Sequence, residues 1–308
     1  MKAVRYHQYG GSEVLNYEEA EQPVPGAGEV LVKVVGTSFN PVDAAIRAGF
    51  LHEVFPQTFP AVPGIDVAGT IAGVGAGVEG WREGAAVVAL LPMTSAGATA
   101  EYVTVPAEAL AAAPRTGEPA DAAALPAAGL TAWQALFENA GLQAGQSILI
   151  NGAGGAVGGY AVQLAKQAGA TVTATASARS AQRLREYGAD RIVDYTTTAV
   201  GDLGERFDVV LNLVTTSPEE TGGLLDLVND GGVLASTTTP PPETADRGVR
   251  TARVFLHGDA GQLAGLVARV DEGELRIHVA ERRPLADLAA VHDDAASGRL
   301  PGKTVLVP

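Results

Sequence analysis

Residues 148–158 read ILINGAGGAVG, an apolar strand that runs directly into a glycine-rich turn. A helical pattern follows, because apolar residues recur over 157–168 at three- and four-residue spacing. A strand, a tight turn and a helix in this order can hold a pyrophosphate, since small residues let backbone N–H groups approach the phosphate and the helix N-terminus carries partial positive charge. The predicted dinucleotide contacts here are Gly154, Gly155, Ala156 and Val157. The alternative is a tight strand-to-helix turn without a ligand.

The end of the next strand, Thr171–Ala176, indicates which dinucleotide is bound. Sites for NAD usually place Asp or Glu here to bind the ribose hydroxyls. This chain has Ser177 and Arg179 instead. A carboxylate would repel a 2′-phosphate, whereas a hydroxyl and a guanidinium bind it, so the sequence favours NADP(H). Alternatively, Ser177 only caps the following helix and Arg179 is a solvated residue of its first turn.

The middle of the chain alternates between strands and helices. The pattern predicts strands at 147–151, 171–176, 191–194, 207–214 and 232–237, and helices at 122–140, 156–169, 178–187 and 220–229. This alternation is typical of an α/β domain with a doubly wound parallel sheet and crossover helices, and we assign it residues 118–269. The proline-rich segment 239–248 is predicted to be a loop.

Ligands of open α/β sheets bind beyond the carboxyl ends of the strands. We therefore expect further cofactor contacts there, at Tyr195, Leu213, Val214, Ser236, Phe255 and Leu256. Tyr195 follows the third strand and could cover the adenosine phosphate. Alternatively, it is a half-buried aromatic at the end of a strand.

The remainder of the chain has short strands separated by Gly and Pro, at 29–35, 67–75 and 85–91, which predicts a compact, mostly β domain. After residue 270 the pattern is strand (275–280), helix (285–297) and strand (304–307). Three elements are too few for a separate domain. We therefore expect residues 1–117 and 270–308 to form the β domain together, with the α/β domain inserted between them.

Composition excludes several classes of partner. The 308 residues carry a formal net charge of −14, whereas nucleic acids and anionic membranes require a basic surface. No run of about 18 apolar residues predicts a membrane span, and the N-terminus lacks the apolar segment of a signal peptide. We expect a cytoplasmic protein that binds small molecules. The chain has no cysteine and its five histidines show no paired ligand spacing, so no metal site is expected.

With these elements placed, the chain resembles the medium-chain dehydrogenase/reductase superfamily, and within it the zinc-independent quinone oxidoreductase, or zeta-crystallin-like, branch. The matching motifs run the length of the chain: Met1–Val4, Tyr9–Gly11, Asn40–Asp43, Pro63–Gly69, Leu130–Trp133, Gly154–Lys166 and Gly302–Leu306. Two places depart from that branch. Ala156 replaces a second glycine of the turn, and Ala44 and Ala45 occupy the region of a family tyrosine.

The resemblance implies a Rossmann-type NADP-binding domain and a GroES-like substrate domain. It implies hydride transfer from NADPH to a quinone or an α,β-unsaturated carbonyl without zinc. The counterpart of Asn40 lies in the family's cleft, so Asn40 becomes the candidate substrate or nicotinamide contact, unless it only caps the turn before Pro41. Thr131 is expected to meet the cofactor, unless it bonds only within its helix. Tyr102 could donate a proton, although a packing role is the alternative, and Asp43 is interpreted as a turn residue.

Two other functions stay open. The chain could be an enoyl reductase of secondary metabolism, or a cofactor-binding sensor or structural protein without turnover, because the binding turn is clearer than any catalytic residue. The resemblance also implies a homodimer in which the sheet edge formed by strands 232–237 and 253–256 pairs with its copy. The alternative is a monomer whose 239–248 loop covers that edge.

Overall fold

The structure is a computed structural model that describes residues 1–244 and 246–308; Ala245, in the predicted proline-rich loop, lies outside the described residues. The chain divides into two compact units. Unit 1 comprises Met1–Ala127 and Gly258–Pro308, and unit 2 comprises Ala128–His257. Among the described residues, no helix is both long and apolar enough to span a membrane.

Unit 2 is built on a six-stranded parallel sheet. Its strands are β8 (Ser147–Asn151), β9 (Thr171–Ala176), β10 (Arg191–Asp194), β11 (Phe207–Asn212), β12 (Val228–Ser236) and β13 (Arg250–Arg253), in the order β10-β9-β8-β11-β12-β13. The helices are α3 (Ala156–Gln167), α4 (Ala178–Glu186) and α5 (Pro218–Gly223), with shorter turns at Val200–Asp202, Leu224–Leu227 and Asp246–Gly248. The central strands β8, β9 and β11 are mostly apolar and are buried except at single positions near their starts, as expected for a sheet covered on both faces. The predicted Rossmann-type fold is confirmed.

Unit 1 is mostly β. A seven-stranded sheet contains β3 (Glu29–Ser38), β4 (Asp66–Val74), β5 (Ala86–Leu90), β6 (Tyr102–Pro106), β7 (Leu110–Ala112), β14 (Glu281–Pro284) and β15 (Thr304–Val307). The first strands, β1 (Lys2–Arg5) and β2 (Asn16–Glu19), form a separate pair. The helices are α1 (Pro41–Arg47), α6 (Ala260–Asp271) and α7 (Leu288–Ala296), with 3₁₀ turns at Ser12–Val14, Ala107–Ala109, Pro119–Ala124 and Leu285–Asp287. Because β15 pairs with β3 through Val305 and Ser38, the C-terminal segment completes this unit.

The borders of the units differ from the predicted 1–117, 118–269 and 270–308. The turn Pro119–Ala124 packs on β3 and β4, so it belongs to unit 1. A Cβ on Gly36 of β3 would lie 2.6 Å from the Ala120 carbonyl oxygen, which shows how closely the two backbones approach. Helix α6, which the sequence analysis did not predict, packs on β7 of the same unit.

One predicted helix is three elements. Residues 122–140 were expected to form a single helix, but Pro119–Ala124 is a 3₁₀ turn, α2 covers Pro126–Trp133, and a π-helical segment follows at Gln134–Asn139. The reason for the first break is Pro126, which has no backbone N–H with which to continue the preceding turn and suits the first position of a new helix. The prediction overlooked this proline.

Several strand boundaries were also wrong. The last strand of unit 2 is β13, Arg250–Arg253, rather than 253–256, because its partner β12 ends at Ser236, opposite Arg253. Predicted helix 220–229 ends early, since Val228 already begins β12 beside Phe207. The strand expected at 275–280 is β14, whose pairing with β15 begins only at Glu281 opposite Thr304.

Candidate functional site

The glycine-rich turn of unit 2 lies between β8 and α3, as predicted. Gly152 has φ +89°, and Gly158 is packed so closely that a Cβ there would lie 2.4 Å from the Cα of Ala153. Gly155 is different, because a Cβ there would meet no atom closer than the Gly152 carbonyl oxygen at 3.8 Å. Two glycines therefore serve the turn and its packing, whereas Gly155 leaves open space in front of the helix.

The N-terminus of α3 is uncapped. Gly155 occupies the N-cap position without a side-chain cap, and the first turn, which includes Ala156 and Val157, contains no acidic residue. The first N–H groups of a helix lack partners within it and favour an anion. The open space at Gly155 and these donors fit the diphosphate of a dinucleotide, and the methyl group of Ala156 leaves the helix start unchanged.

Beside this turn, the start of α4 carries positive charge without compensation. Ser177 is the N-cap residue but its hydroxyl makes no capping bond, and Arg179 is exposed. Within the described part of the chain, neither Arg179 nor Arg183 has a carboxylate partner. Two cations four residues apart repel one another on a helix, and Arg179, in the first turn of α4, also opposes the dipole. An anion bound here would relieve both costs.

Arg183 is a residue that the sequence analysis missed. Its Nη2 donates to the Gly154 carbonyl oxygen at 2.8 Å, and its Nε is buried without a partner. Ser180 lies on the same side, since a Cβ on Gly154 would approach its Oγ to 2.7 Å. The spacing of Arg179 and Arg183, four apart on a predicted helix, was the available signal.

A chain of hydrogen bonds joins the carboxyl ends of four neighbouring strands. Thr175 Oγ1 donates to Asn151 Oδ1 at 2.9 Å, Asn151 Nδ2 donates to Asn212 Oδ1 at 3.0 Å, and Asn212 Nδ2 donates to Ser236 Oγ at 3.3 Å. Thr175 also accepts the Gly152 N–H at 2.8 Å. Of these residues only Ser236 was predicted. The signal was a polar residue at the end of each buried strand.

The other predicted cofactor contacts, apart from Thr131 in α2, directly follow strands of the unit 2 sheet. Leu213 and Val214 follow β11, and the Leu213 N–H donates to the Asn151 carbonyl oxygen at 2.9 Å. Tyr195 follows β10 and is 55% exposed, which contrasts with the half-buried alternative. Phe255 and Leu256 follow β13, where the Arg253 guanidinium lies 4.5 Å from the Phe255 ring. Thr131 lies in α2 and is half-buried. Their contact with a cofactor stays a prediction.

In unit 1, Asn40 stands at the start of α1 and is almost fully buried. Its Oδ1 accepts from Lys303 Nζ at 2.7 Å, and its Nδ2 donates to Asp66 Oδ2 at 2.8 Å and to the Ser38 carbonyl oxygen at 3.3 Å. Lys303 and Asp66 form a buried ion pair of 3.3 Å. Asn40, Asp66 and Lys303, together with Ser38, are called the Asn40 cluster below.

Asp43 is buried in α1 rather than placed on an exposed turn. Its Oδ2 accepts the Asn40 backbone N–H at 2.9 Å. Burial raises the pKa of Asp43 to about 7, although the hydrogen bond from Asn40 and the charge of Lys303 oppose this shift. It also lines a small cavity of about 20 Å³ with Tyr6, Gln57 and Ser95. A carboxyl group with a pKa of about 7 is partly protonated at neutral pH.

The other end of α1 has a second buried pair. Arg47 Nη1 and His292 Nδ1 are 3.1 Å apart, and the ring of Phe39 packs edge-on against His292. Burial and the neighbouring Arg47 cation lower the pKa of His292 to about 3, so this ring is neutral. Tyr102 lies in β6 and is half-buried. The described residues include no group of three His, Cys, Asp or Glu that could hold a metal ion.

Comparison with known proteins agrees with this arrangement. Residues 26–115 match the family model "Alcohol dehydrogenase GroES-like domain", and residues 187–306 match "Zinc-binding dehydrogenase". The chloroplast envelope quinone oxidoreductase homolog of Arabidopsis thaliana is 33% identical over 100% of this chain and 98% of its own. The NADPH-dependent alkenal/one oxidoreductase of the same plant is 38% identical over 78% of this chain and 64% of its own.

Among solved structures, the quinone oxidoreductase from Coxiella burnetii superimposes with a TM-score of 0.88 at 28% identity, over 100% of this chain and 99% of that one. The two family models, the matches over the whole chain and the common fold all agree. The chain belongs to the medium-chain dehydrogenase/reductase superfamily, in its quinone oxidoreductase branch.

Proposed function

We propose that this chain transfers a hydride from NADPH to a quinone or an α,β-unsaturated carbonyl, without a metal ion. The observation that carries the proposal is the uncapped α3 N-terminus next to the guanidinium groups of Arg179 and Arg183, which have no carboxylate partner among the described residues. A similar chain, the alkenal/one oxidoreductase of Arabidopsis thaliana, is named as NADPH-dependent. The reaction class is supported by membership of the quinone oxidoreductase branch.

The preference for NADPH over NADH rests on charge. No carboxylate follows β9, where an NAD site would hold the ribose hydroxyls. The Arg179 side chain is exposed, whereas the Arg183 guanidinium is anchored by the Gly154 carbonyl oxygen. In a protein of net charge −14, two such cations at this place favour the additional phosphate of NADPH.

The proposed reaction requires few catalytic groups from the protein. NADPH, when bound, supplies the hydride, which brings two electrons to the substrate, and one proton from solvent completes the hydroquinone or the saturated carbonyl. Because these substrates spread the developing negative charge over a conjugated oxygen, one or two hydrogen bonds are enough to stabilise it. Asn40 is the proposed donor. The lack of cysteine and of a three-residue metal cluster among the described residues supports a reaction without zinc.

The test measures NADPH oxidation at 340 nm with 1,4-naphthoquinone and with an enal, together with the Kd of NADPH and NADH. The variant Arg179→Ala/Arg183→Ala should weaken NADPH by roughly 1–3 kcal/mol per lost charged contact, and NADH much less. Arg185→Ala, an exposed cation of the same helix, is the matched control. Equal losses for both cofactors would contradict the NADPH preference. Cofactor binding without turnover of any electrophile would instead favour the non-catalytic alternative.

Metal independence has a separate test. Turnover should survive prolonged dialysis against a chelator, and elemental analysis should find no stoichiometric zinc. A bound metal whose removal abolishes turnover would overturn this part of the proposal. Turnover of bulky enones in preference to quinones would favour the enoyl reductase.

We also propose a homodimer formed through β13. This strand is the edge of the unit 2 sheet as described, and edge strands have unpaired backbone groups that a second copy can pair. Light scattering at micromolar concentration tests it: a mass near 31.3 kDa, that of one chain, would contradict the dimer. From the acidic charge we propose that neither nucleic acids nor membranes are partners, which binding assays test. The cytoplasmic location remains a separate proposal, which cell fractionation tests.

A further inference from the structure

We propose that Lys303 and Asp66 are positioning residues that fix the side-chain amide of Asn40 in the single orientation in which one of its N–H groups serves the substrate. This inference rests on the proposed function, in which Asn40 is the hydrogen-bond donor. The proposal does not require Lys303 or Asp66 to contact the substrate. Both act through Asn40.

Lys303 has three acceptors for its three protons. Nζ donates to Asn40 Oδ1 at 2.7 Å, to the Phe39 carbonyl oxygen at 3.1 Å and to Asp66 Oδ2 at 3.3 Å. The shortest of these contacts is to the amide of Asn40 and not to the carboxylate. The ammonium group therefore anchors the amide at least as directly as it neutralises Asp66.

Asp66 holds the other side of the amide. Its Oδ2 accepts from Asn40 Nδ2 at 2.8 Å and from Ser38 Oγ at 2.5 Å. Its Oδ1 accepts the Ala127 N–H at 2.7 Å, which satisfies a free donor in the first turn of α2. The carboxylate is completely buried and is held by four residues of unit 1: Ser38, Asn40, Ala127 and Lys303.

The two charges select between the two orientations of the amide. A flipped amide would place Oδ1 against the Asp66 carboxylate and Nδ2 against the Lys303 ammonium, with repulsion at both contacts. In the observed orientation both contacts are charge-assisted and strong. Only one proton of Nδ2 remains weakly held, at 3.3 Å from the Ser38 carbonyl oxygen.

This weakly held proton is the one that can be redirected to a ligand. The ammonium group withdraws electron density through Oδ1, and hydrogen bonds in a chain polarise one another, so the remaining N–H becomes a stronger donor. The cluster thus turns an ordinary asparagine into an oriented and polarised donor. Removal of Lys303 and Asp66 should therefore harm the reaction as much as removal of Asn40 itself.

The test is a double-mutant cycle on the full chain with NADPH and 1,4-naphthoquinone. It compares Asn40→Ala, the charge-balanced variant Lys303→Met/Asp66→Asn, and the combination of all three changes. We expect the first two each to lower kcat roughly 100- to 1000-fold, as for loss of a donor to a developing oxyanion. The combination should fall within about threefold of Asn40→Ala, because the pair acts through that residue.

Three further measurements separate positioning from general damage. The Kd of NADPH should stay within about twofold in all variants. Lys303→Arg, which keeps the cation, should recover most of kcat. Arg282→Met/Asp121→Asn, which removes an ion pair of 2.6 Å elsewhere in unit 1, is the matched control and should leave kcat unchanged.

Two results would overturn the proposal. In the first, the combined variant loses kcat by the product of the two separate factors, which would show independent effects. In the second, Lys303→Met/Asp66→Asn keeps the kcat of the protein without substitutions, whereas Asn40→Ala does not. A readout without turnover is the NMR signal of the Asn40 side-chain NH₂, assigned by its absence in Asn40→Asp. Its protons should exchange slowly in the unchanged protein and rapidly in Lys303→Met/Asp66→Asn. If the protein without substitutions shows no turnover, the proposed function is contradicted. The exchange rate of the Asn40 NH₂ protons then tests, independently of activity, whether Lys303 and Asp66 hold the amide.

Discussion

The glycine-rich turn of unit 2 and the Asn40 cluster of unit 1 are built in opposite ways. The turn consists of consecutive residues whose geometry follows from local backbone rules and from a helix start. The cluster joins residues as far apart as Asn40 and Lys303, 263 positions away in sequence. Both contain polar groups, but only the turn is formed by consecutive residues of the sequence.

The difference extends to electrostatics. The turn exposes its donors, and the nearby cations Arg179 and Arg183 lack a carboxylate partner in the described part of the chain, whereas the Asn40 cluster has a partner for each of its charges. An open site is stabilised by its ligand, and a closed cluster by its own hydrogen bonds. Substitutions in the cluster should therefore affect the free energy of unfolding most, and substitutions at the open glycine should affect ligand binding most.

The largest effect is expected for Lys303→Met. This change leaves the Asp66 carboxylate buried without its cation, which should lower the free energy of unfolding by roughly 3–5 kcal/mol. Lys303→Met/Asp66→Asn should recover much of that loss because no buried charge remains. Urea unfolding of both variants measures the difference. Equal stability of the two would show that the pair is not energetically coupled.

A second test uses the raised pKa of Asp43. Because its pKa is about 7 in the folded chain, above the ordinary 3.8, the stabilisation linked to its proton is complete at low pH. It is lost as the pH rises from about 4 through about 7. The advantage of Asp43→Asn over the unchanged protein should therefore grow over this range, by on the order of 3 kcal/mol.

Urea unfolding at several pH values measures this change. Comparing the variant with the unchanged protein cancels His292, whose pKa is shifted in the opposite direction and which loses stability as the pH falls below about 6.5. A difference that does not depend on pH would show that Asp43 is ionised throughout.

Gly158→Ala tests the packing of the turn. The added Cβ would lie 2.4 Å from the Ala153 Cα, a backbone atom that cannot rotate away. We expect a loss of about 1–3 kcal/mol in the free energy of unfolding, as for other overpacked sites. Thermal or urea unfolding checks it, and a fully stable variant would show that α3 can shift away from β8.

Gly155→Ala is the matched counterpart of Gly158→Ala, and it is expected to change the free energy of unfolding least. Its φ of −78° suits any residue, and the new methyl group would meet open space. The free energy of unfolding should change by less than about 0.5 kcal/mol. The Kd of NADPH should rise roughly tenfold, because the methyl group occupies the approach to the α3 N–H groups. Unchanged NADPH affinity would place the diphosphate elsewhere.

The sequence by itself determined the strand, turn and helix around Gly154 and the parallel sheet, because those features depend on periodicity and on neighbouring residues. It also indicated the unusual Ser177 and Arg179 at the end of β9. It misjudged the ends of elements where a proline or a strand partner decides the boundary, as at Pro126 and Arg253.

Only the tertiary structure decided what surrounds Asn40. No local sequence pattern connects Asp66 or Lys303 with Asn40. Asp66 begins β4 and Lys303 immediately precedes β15, so the three residues are distant in sequence and come together only when the strands pair. Similarly, the anchoring of Arg183 by the Gly154 carbonyl oxygen depends on how α4 packs beside the turn. The physical reason is that a buried charge must find its partner wherever the fold brings one within hydrogen-bonding distance, and that distance is set by the packed sheet rather than by the separation in sequence.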